Sequence, residues 1–337
     1  MTLNKHILLG HGSGGTLMHE LIEELFQPGL LAANGKVLND AALFEAGGAR
    51  LAMTTDSFVV DPIFFPGGDI GDLAVYGTVN DLAVSGARPL FLSAAFILEE
   101  GLPLEDLSRI VTSMNRACRE AGVNMVTGDT KVVHRGKGDK VFINTTGIGL
   151  IERAIEISAD RARPGDKVLL SGAVAAHGVA IMLAREEMEF ERPILSDTAP
   201  LNGLVEDMLR VSLDIHCMRD LTRGGLASAL NEIARSSRVG FRIYEDCIPV
   251  QNEVKGACEI LGLDALHVAN EGKLIAIVAA GQAEKILASM RENSRGREAA
   301  IIGKVVEEQP GRVFMKTIVG GFRVVDMLAG EQLPRIC

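Results

Sequence analysis

The sequence predicts an α+β protein of two domains that ends in a mobile tail. Three observations predict it. The chain has 337 residues, more than one hydrophobic core usually organises. Period-two alternation and amphipathic helical stretches interleave along it. The charged turn RARPGD (Arg161–Asp166) then interrupts the pattern, and KVLLSG starts a fresh strand. The expected divisions are a glycine-rich lid segment at 1–38, a first sheet domain at 39–154, a second α+β domain at 155–330, and a tail at 331–337.

In chain order, LMHELIEELF reads as a helix, and GKVLND and RLAMTTDSFVV as strands. GDLAVYGTVNDLAVSGA reads as a helix despite its glycines, through Leu73, Val75, Val79 and Leu82. FLSAAFIL is a strand. LEDLSRIVTSMNRACREAG is an amphipathic helix ended by Gly122. VNMVTGDTKVV and VFINTTGIGLI follow as strands. The second half predicts helices over 175–185, 200–213, 224–236, 252–261 and 283–293, and strands at FRIYED, LIAIVAAG, AAIIGKVV, RVFMKT and GFRVVDM. After Gly330 a tail of seven residues carries Pro334, which opposes helix, and spans about 23 Å when extended.

Composition excludes several function classes. A net charge of −10 opposes binding to a phosphate backbone, and the absence of Trp opposes a base-stacking platform, so no nucleic-acid partner is expected. No stretch approaches the ~20 apolar residues of a membrane span, and the N-terminus lacks a secretory signal pattern, so a cytoplasmic protein is expected. Five cysteines show no CxxC and no disulfide framework. Cys118 and Cys258 lie on apolar stripes. Cys337, the last residue, has no core explanation: it reads either as a frayed end or as a reactive arm.

GHGSGG (10–15) fits the dinucleotide fingerprint GxGxxG, but no regular βαβ series follows, so a glycine-rich lid containing His11, Gly12 and Gly14 is the preferred reading. The carboxylates are more informative. Asp56 follows LAMTT, Asn80-Asp81 sits in TVNDLAV, Asp129 ends VNMVTG two residues before Lys131, and Asp220 opens DLTRGG. Any one of them is an ordinary turn or cap residue. As a set, Asp56, Asp81, Asp129 and Asp220 suit Mg²⁺, a hard ion that shares its coordination with phosphate oxygens. Gly224 and Gly225 at a helix start offer backbone N–H groups to an anion, with Thr222 beside them, and Lys131 and Arg223 add positive charge.

TTDSFVVDPIFFPGGDIGDLAVYGTVNDLAVSGARPLFLS, TGDTKVV and DLTRGGL resemble the superfamily of ATP-dependent enzymes that includes aminoimidazole ribonucleotide synthetase, selenophosphate synthetase and thiamine-monophosphate kinase. HGSGGT near the start and PRIC at the end resemble its hydrogenase-maturation branch. The resemblance covers essentially the whole chain. It implies an aminoimidazole ribonucleotide synthetase-like fold and a homodimer that pairs its N-terminal sheets, with ATP bound in clefts at the shared region. It also implies an activity: ATP-dependent dehydration of a carboxamide on the terminal Cys to a thiocyanate, the source of a cyanide ligand for the iron of [NiFe]-hydrogenase. The implied carbamoyl donor is the carbamoyltransferase HypF, and the implied acceptor is the HypC–HypD complex. The resemblance assigns Cys337 as carrier and Glu271 as the base, and it adds Asp40 to the nucleotide-binding set.

The chemistry explains the tail. A carboxamide loses water poorly because its oxygen is a poor leaving group; phosphorylation corrects that, and removal of the N–H protons expels phosphate. Lys131 would hold the carboxamide oxygen or the γ-phosphate, and the HGSGG segment would exclude water. A neighbouring α-carboxylate is expected to raise the Cys337 pKa. Three alternatives compete: a related synthetase or kinase acting on a diffusing small molecule, a nucleotide-gated carrier without turnover, and a scaffold dimer.

Overall fold

The computed structural model describes residues 6–30, 38–188, 190–328 and 335–337. Most of the strand expected at 35–40 lies outside the described residues, as do tail residues 331–334; residues 38–40 carry no strand.

The first sheet has five strands in the order Ala42–Ala46, Ala49–Phe58, Val141–Leu150, Arg88–Glu99, Asn124–Val133. The first of these was not foreseen. It forms a hairpin with the second through Gly47 and Gly48, both at positive φ. Arg88–Glu99 and Asn124–Val133 run parallel, and the crossover between them is the helix Leu104–Ala121, closed by Gly122 in the left-handed region. This helix and Ile70–Val84 bury Leu73, Val79, Leu92, Ile110 and Ile143 on one face of the sheet. The opposite face carries Met53, Ile148 and Phe91 in cross-strand register, all exposed.

Helix Ile70–Val84 starts at Asp69, whose carboxylate accepts the Gly71 and Asp72 N–H groups. It is buried almost all round because it lies between the domains, packed on the first sheet and on helix Asn202–Val211. Its continuous apolarity, which blurs the helical period in the sequence, follows from that position.

The second sheet has seven strands in the order Phe322–Val324, Val313–Lys316, Gly240–Tyr244, Ala300–Val306, Lys167–Leu170, Leu274–Val278, Ile215–Asp220. Helix Gly225–Ser237 covers one face, where Leu226, Leu230 and Ile233 meet Leu170, Ile275 and Ile277. Helices Asn202–Val211 and Ala283–Glu292 cover the other, where Leu204 and Ile286 meet Leu169 and Leu274. The edge strand Ile215–Asp220 was also unforeseen: Asp220 ends a strand and does not open a loop. That strand packs near helix Ile70–Val84 and brings Arg219 and Asp220 to the domain junction. Among the described residues no helix is long and apolar enough to cross a membrane.

Candidate active site

Strand ends and one helix deliver carboxylates to the junction. Asp56 comes from Ala49–Phe58, Asp81 from Ile70–Val84, Asp220 from the edge strand, and Asp40 from the segment before the first strand. One carboxylate oxygen each of Asp40, Asp81 and Asp220 lies within 4.8 Å of the others. The Asp56 carboxyl lies close enough to Asp81 for the two to influence each other's ionisation. Thr54 Oγ1 sits 2.7 Å from Asp81 Oδ2 and 2.9 Å from the Asp40 carbonyl oxygen. These residues line a cavity of about 210 Å³ together with Gly14, Thr222, Arg223 and Gly225.

Burial raises the pKa of all four acids. Asp40 reaches about 6, with Arg219 opposing the rise and Glu232 and Asp56 adding to it. Asp81 and Asp220 go well above the usual carboxylate range, each pushed further by the neighbouring aspartates. Acids that resist ionising together gain from a cation in their midst, and the all-oxygen donor set suits a hard divalent ion.

Arg219 was missed by sequence reasoning, yet it organises the cavity wall. Its Nε lies 3.3 Å from Asp40 Oδ1 and its Nη2 2.6 Å from Glu232 Oε2. The other oxygen of Glu232 meets His19 Nε2 at 2.9 Å. The available signal was Arg219 itself, a charge beside Asp220 in a short alternating run.

The glycine-rich segment lies across the cleft. Arg223 Nη1 donates to the Gly12 carbonyl at 3.0 Å, and Ser228 Oγ donates to that of Gly14 at 3.1 Å. Gly14 has φ +74°, and a Cβ there would stand 2.6 Å from the Arg223 carbonyl oxygen. Gly224 and Gly225 also have positive φ, at the start of helix Gly225–Ser237. His11 turns inward on its own 3₁₀ turn, with Nδ1 2.9 Å from the Leu8 nitrogen.

The tail enters the same cleft. Ile336 is buried at 3% exposure in the core of the first domain. The Val59 N–H donates to the backbone oxygen of Cys337 at 2.9 Å, and His177 Nε2 lies 2.8 Å from the Ile336 carbonyl oxygen. Burial pushes the Cys337 thiol up to about 12; Arg223 opposes the rise, and Glu271, Asp56 and Asp220 add to it. The thiol pKa rises as expected, but burial is the largest cause. Cys118, Cys217 and Cys258 are buried and free.

Glu271, whose charge acts on this thiol, is 3% exposed. Its N–H donates to Asp197 Oδ1 at 3.0 Å, and its own Oε1 is buried with no hydrogen-bond partner. Burial, then Asp220 and Asp197, raise its pKa well above the usual range, while Arg223 favours the ionised form.

Three expected site residues are not brought to this cluster. Asn80 follows a different face of its helix from Asp81: its amide donates to the Ala199 and Glu271 carbonyls and accepts the Leu201 N–H, so it ties the domains together. Asp129 lies in register with Ala95, Asn144 and Ser57, and therefore on the face of the sheet opposite Asp56. Lys131 shares that outer face and pairs with Asp129 at 2.5 Å, both exposed.

Residues 38–151 match the family described as AIR synthase related protein, N-terminal domain, and residues 163–316 match its C-terminal domain. Carbamoyl dehydratase HypE of Azotobacter vinelandii is 57% identical over 334 residues, covering 99% of this chain and 98% of that protein. This chain belongs to the carbamoyl dehydratase HypE family. A crystal structure of HypE in complex with ATP shares 51% identity at a TM-score of 0.84, over 98% of this chain and 100% of that one. A HypE–HypF complex shares 50% identity at a TM-score of 0.87, over 91% of this chain and 99% of the HypE family chain it matches.

Proposed function

We propose that the chain uses ATP to dehydrate a carboxamide on Cys337 to a thiocyanate, which supplies the cyanide ligand of the [NiFe]-hydrogenase iron. The observation that carries this reading is the Cys337 thiol inside the acidic cleft, with Arg223, Glu271, Asp56 and Asp220 as its charged surroundings. The names of the relatives support it, as do the ATP and HypF complexes of HypE family members.

The acidic set fits Mg²⁺: Asp40, Asp81 and Asp220 would hold it with Asp56 beside them, and when bound it neutralises phosphate charge. Asp40 replaces Asp129 in that role within one chain. Arg223, together with Thr222 and the glycines at 224 and 225, would orient the γ-phosphoryl group toward the carboxamide oxygen. Phosphoryl transfer to the carboxamide oxygen releases ADP while Glu271 takes one N–H proton; the second N–H proton leaves with the departing phosphate as the C–O bond breaks, giving S–C≡N and hydrogen phosphate. The segment at 10–15 keeps bulk water away.

The exposed row Met53, Ile148 and Phe91 supports a homodimer built on that face, and pairing would carry Asp129 and Lys131 toward the partner's cleft. HypF would load the tail, the HypC–HypD complex would take the cyano group, and the work would be done in the cytoplasm. A diffusing substrate is less well supported, because it gives no role to a buried terminal thiol set among Arg223, Glu271, Asp56 and Asp220.

The test is intact mass of the C-terminal peptide after loading by HypF, with and without Mg·ATP. Loss of about 18 Da, the mass of water, that requires ATP and vanishes in Cys337→Ala is the expected result. A loaded tail that never loses water would leave only a carrier.

A further inference from the structure

We propose that Arg335 is a positioning residue whose ionic clasp with Asp139 and Asp61 sets how long the tail holds Cys337 in the cleft. The proposal rests on the reading of Cys337 as carrier. The Arg335 guanidinium meets the Asp139 carboxylate directly and lies 4.0 Å from Asp61 Oδ2, while its Nε donates to the Val59 carbonyl at 3.1 Å. Its own carbonyl accepts the Asp61 N–H at 3.3 Å and an N–H of Arg185. Lys140 shares Asp61 at 3.9 Å.

The placement of this clasp bears on the chemistry. Asp61 follows the strand that carries Asp56, and Asp139 lies in the connection between Asn124–Val133 and Val141–Leu150. Arg335 therefore ties the tail to two segments of the first domain and registers the thiol two residues further on. Among the described residues, the polar contacts that hold the tail fall on Arg335 and on the backbone oxygens of the buried Ile336 and of Cys337. None of these polar contacts is made by the sulfur, so the clasp itself acts apart from the thiol. A carrier must leave this cleft to be loaded and unloaded. Of its anchors, Ile336 is 3% exposed, whereas the Arg335 side chain is 30% and those of Asp61 and Asp139 are 40% exposed. Water and salt reach the ion pairs first, so the clasp is the part that opens without uncovering core.

The experiment is iodoacetamide labelling of the full chain, following Cys337 by peptide mass with the partly exposed Cys247 as internal reference. Asp139→Asn or Asp61→Asn should raise Cys337 labelling about threefold, and the double variant on the order of tenfold. Raising salt from about 0.05 M to about 0.5 M should speed labelling in the parent chain but not in the double variant. Asp139→Glu should restore most of the protection. With the tail carbamoylated, water loss in Asp139→Asn should slow while its half-saturating ATP concentration stays unchanged. Equal labelling in all variants, a salt response that survives in the double variant, or a rise shared equally by Cys247 would overturn the proposal. If labelling responds as expected but no carbamoylated tail ever loses water, the clasp stands and the dehydratase reading falls.

Discussion

His177 Nε2 lies 2.8 Å from the carbonyl oxygen of Ile336, across 159 residues of sequence. The other ring nitrogen meets Ser196 Oγ at 2.8 Å, and Ser196 Oγ accepts the Thr198 N–H at 3.1 Å. The serine hydroxyl therefore donates to Nδ1, and the imidazole is the neutral Nε2–H tautomer that donates to the tail. Burial lowers the His177 pKa from its ordinary 6.5.

His177→Ala should free the tail and leave Ser196 without its partner. The expected cost is about 1–3 kcal/mol in denaturant unfolding. Because the folded pKa is depressed, the unfolded chain binds the extra proton first. This contribution to stability is complete above 6.5 and is lost as pH falls from 6.5 toward the folded value. The alanine variant should show a flatter stability profile through that window.

The acidic cluster works in the opposite sense. Asp40, Asp81 and Asp220 have raised folded pKa values, so their contribution is present below 3.8 and is lost as pH rises through the folded values, about 6 for Asp40. Asp81→Asn should gain on the order of 1 kcal/mol at pH 8 without metal, because it removes like-charge repulsion. The same variant should lose the rise in Tm that Mg·ATP gives the parent chain. A parent chain whose Tm at pH 8 ignores Mg·ATP would refute the ligand assignment.

Glu271→Gln keeps the size and the backbone contact to Asp197 but cannot take a proton. Carbamoylation of Cys337 and ATP binding should persist, while water loss falls by about 10²–10⁴-fold. Single-turnover mass measurements separate these steps. Undiminished water loss would remove Glu271 from the role of base.

Arg219 bridges Asp40 and Glu232 at a largely buried site, its side chain 18% exposed. Arg219→Met should destabilise the chain by about 3–5 kcal/mol, since two carboxylates lose their shared cation. Thermal unfolding in the absence of nucleotide reads this directly, and a change below about 1 kcal/mol would mean that the pair is dispensable.

The homodimer reading makes a complementation prediction. If Asp129 serves the partner's cleft, mixing inactive Asp129→Asn and Glu271→Gln chains should restore water loss in part. Each mixed dimer would then contain one cleft with both residues intact. No recovery after verified subunit exchange would place both residues in the same chain's site, or leave Asp129 without a role.

Much was legible along the chain, because periodicity and turn chemistry are local. The helices at 104–121 and 252–261 and the strands around Asp56 read directly from apolar spacing. The motifs TTDS, ND and DLTRGG marked Asp56, Asp81 and Asp220 as a set, and PRIC marked Cys337. Of the strands in the two large sheets, Ala42–Ala46 and Ile215–Asp220 were missed: the first is exposed along its length, and the second is six residues that precede a glycine-rich turn.

What the sequence by itself determined was the residue inventory and the order of the elements. Which acids share a cavity was decided by sheet register and helix face. Asp129 fell on the side opposite Asp56, and Asn80 turned toward the second domain while its neighbour Asp81 faced the cleft. Only the docking of the two sheets brought Arg219 against Asp40, and only the groove between Val59 and His177 drew Ile336 and Cys337 inside. The reason is physical: spacing along a chain fixes which way a side chain points from its own element, whereas burial and ionisation depend on which other element packs opposite it.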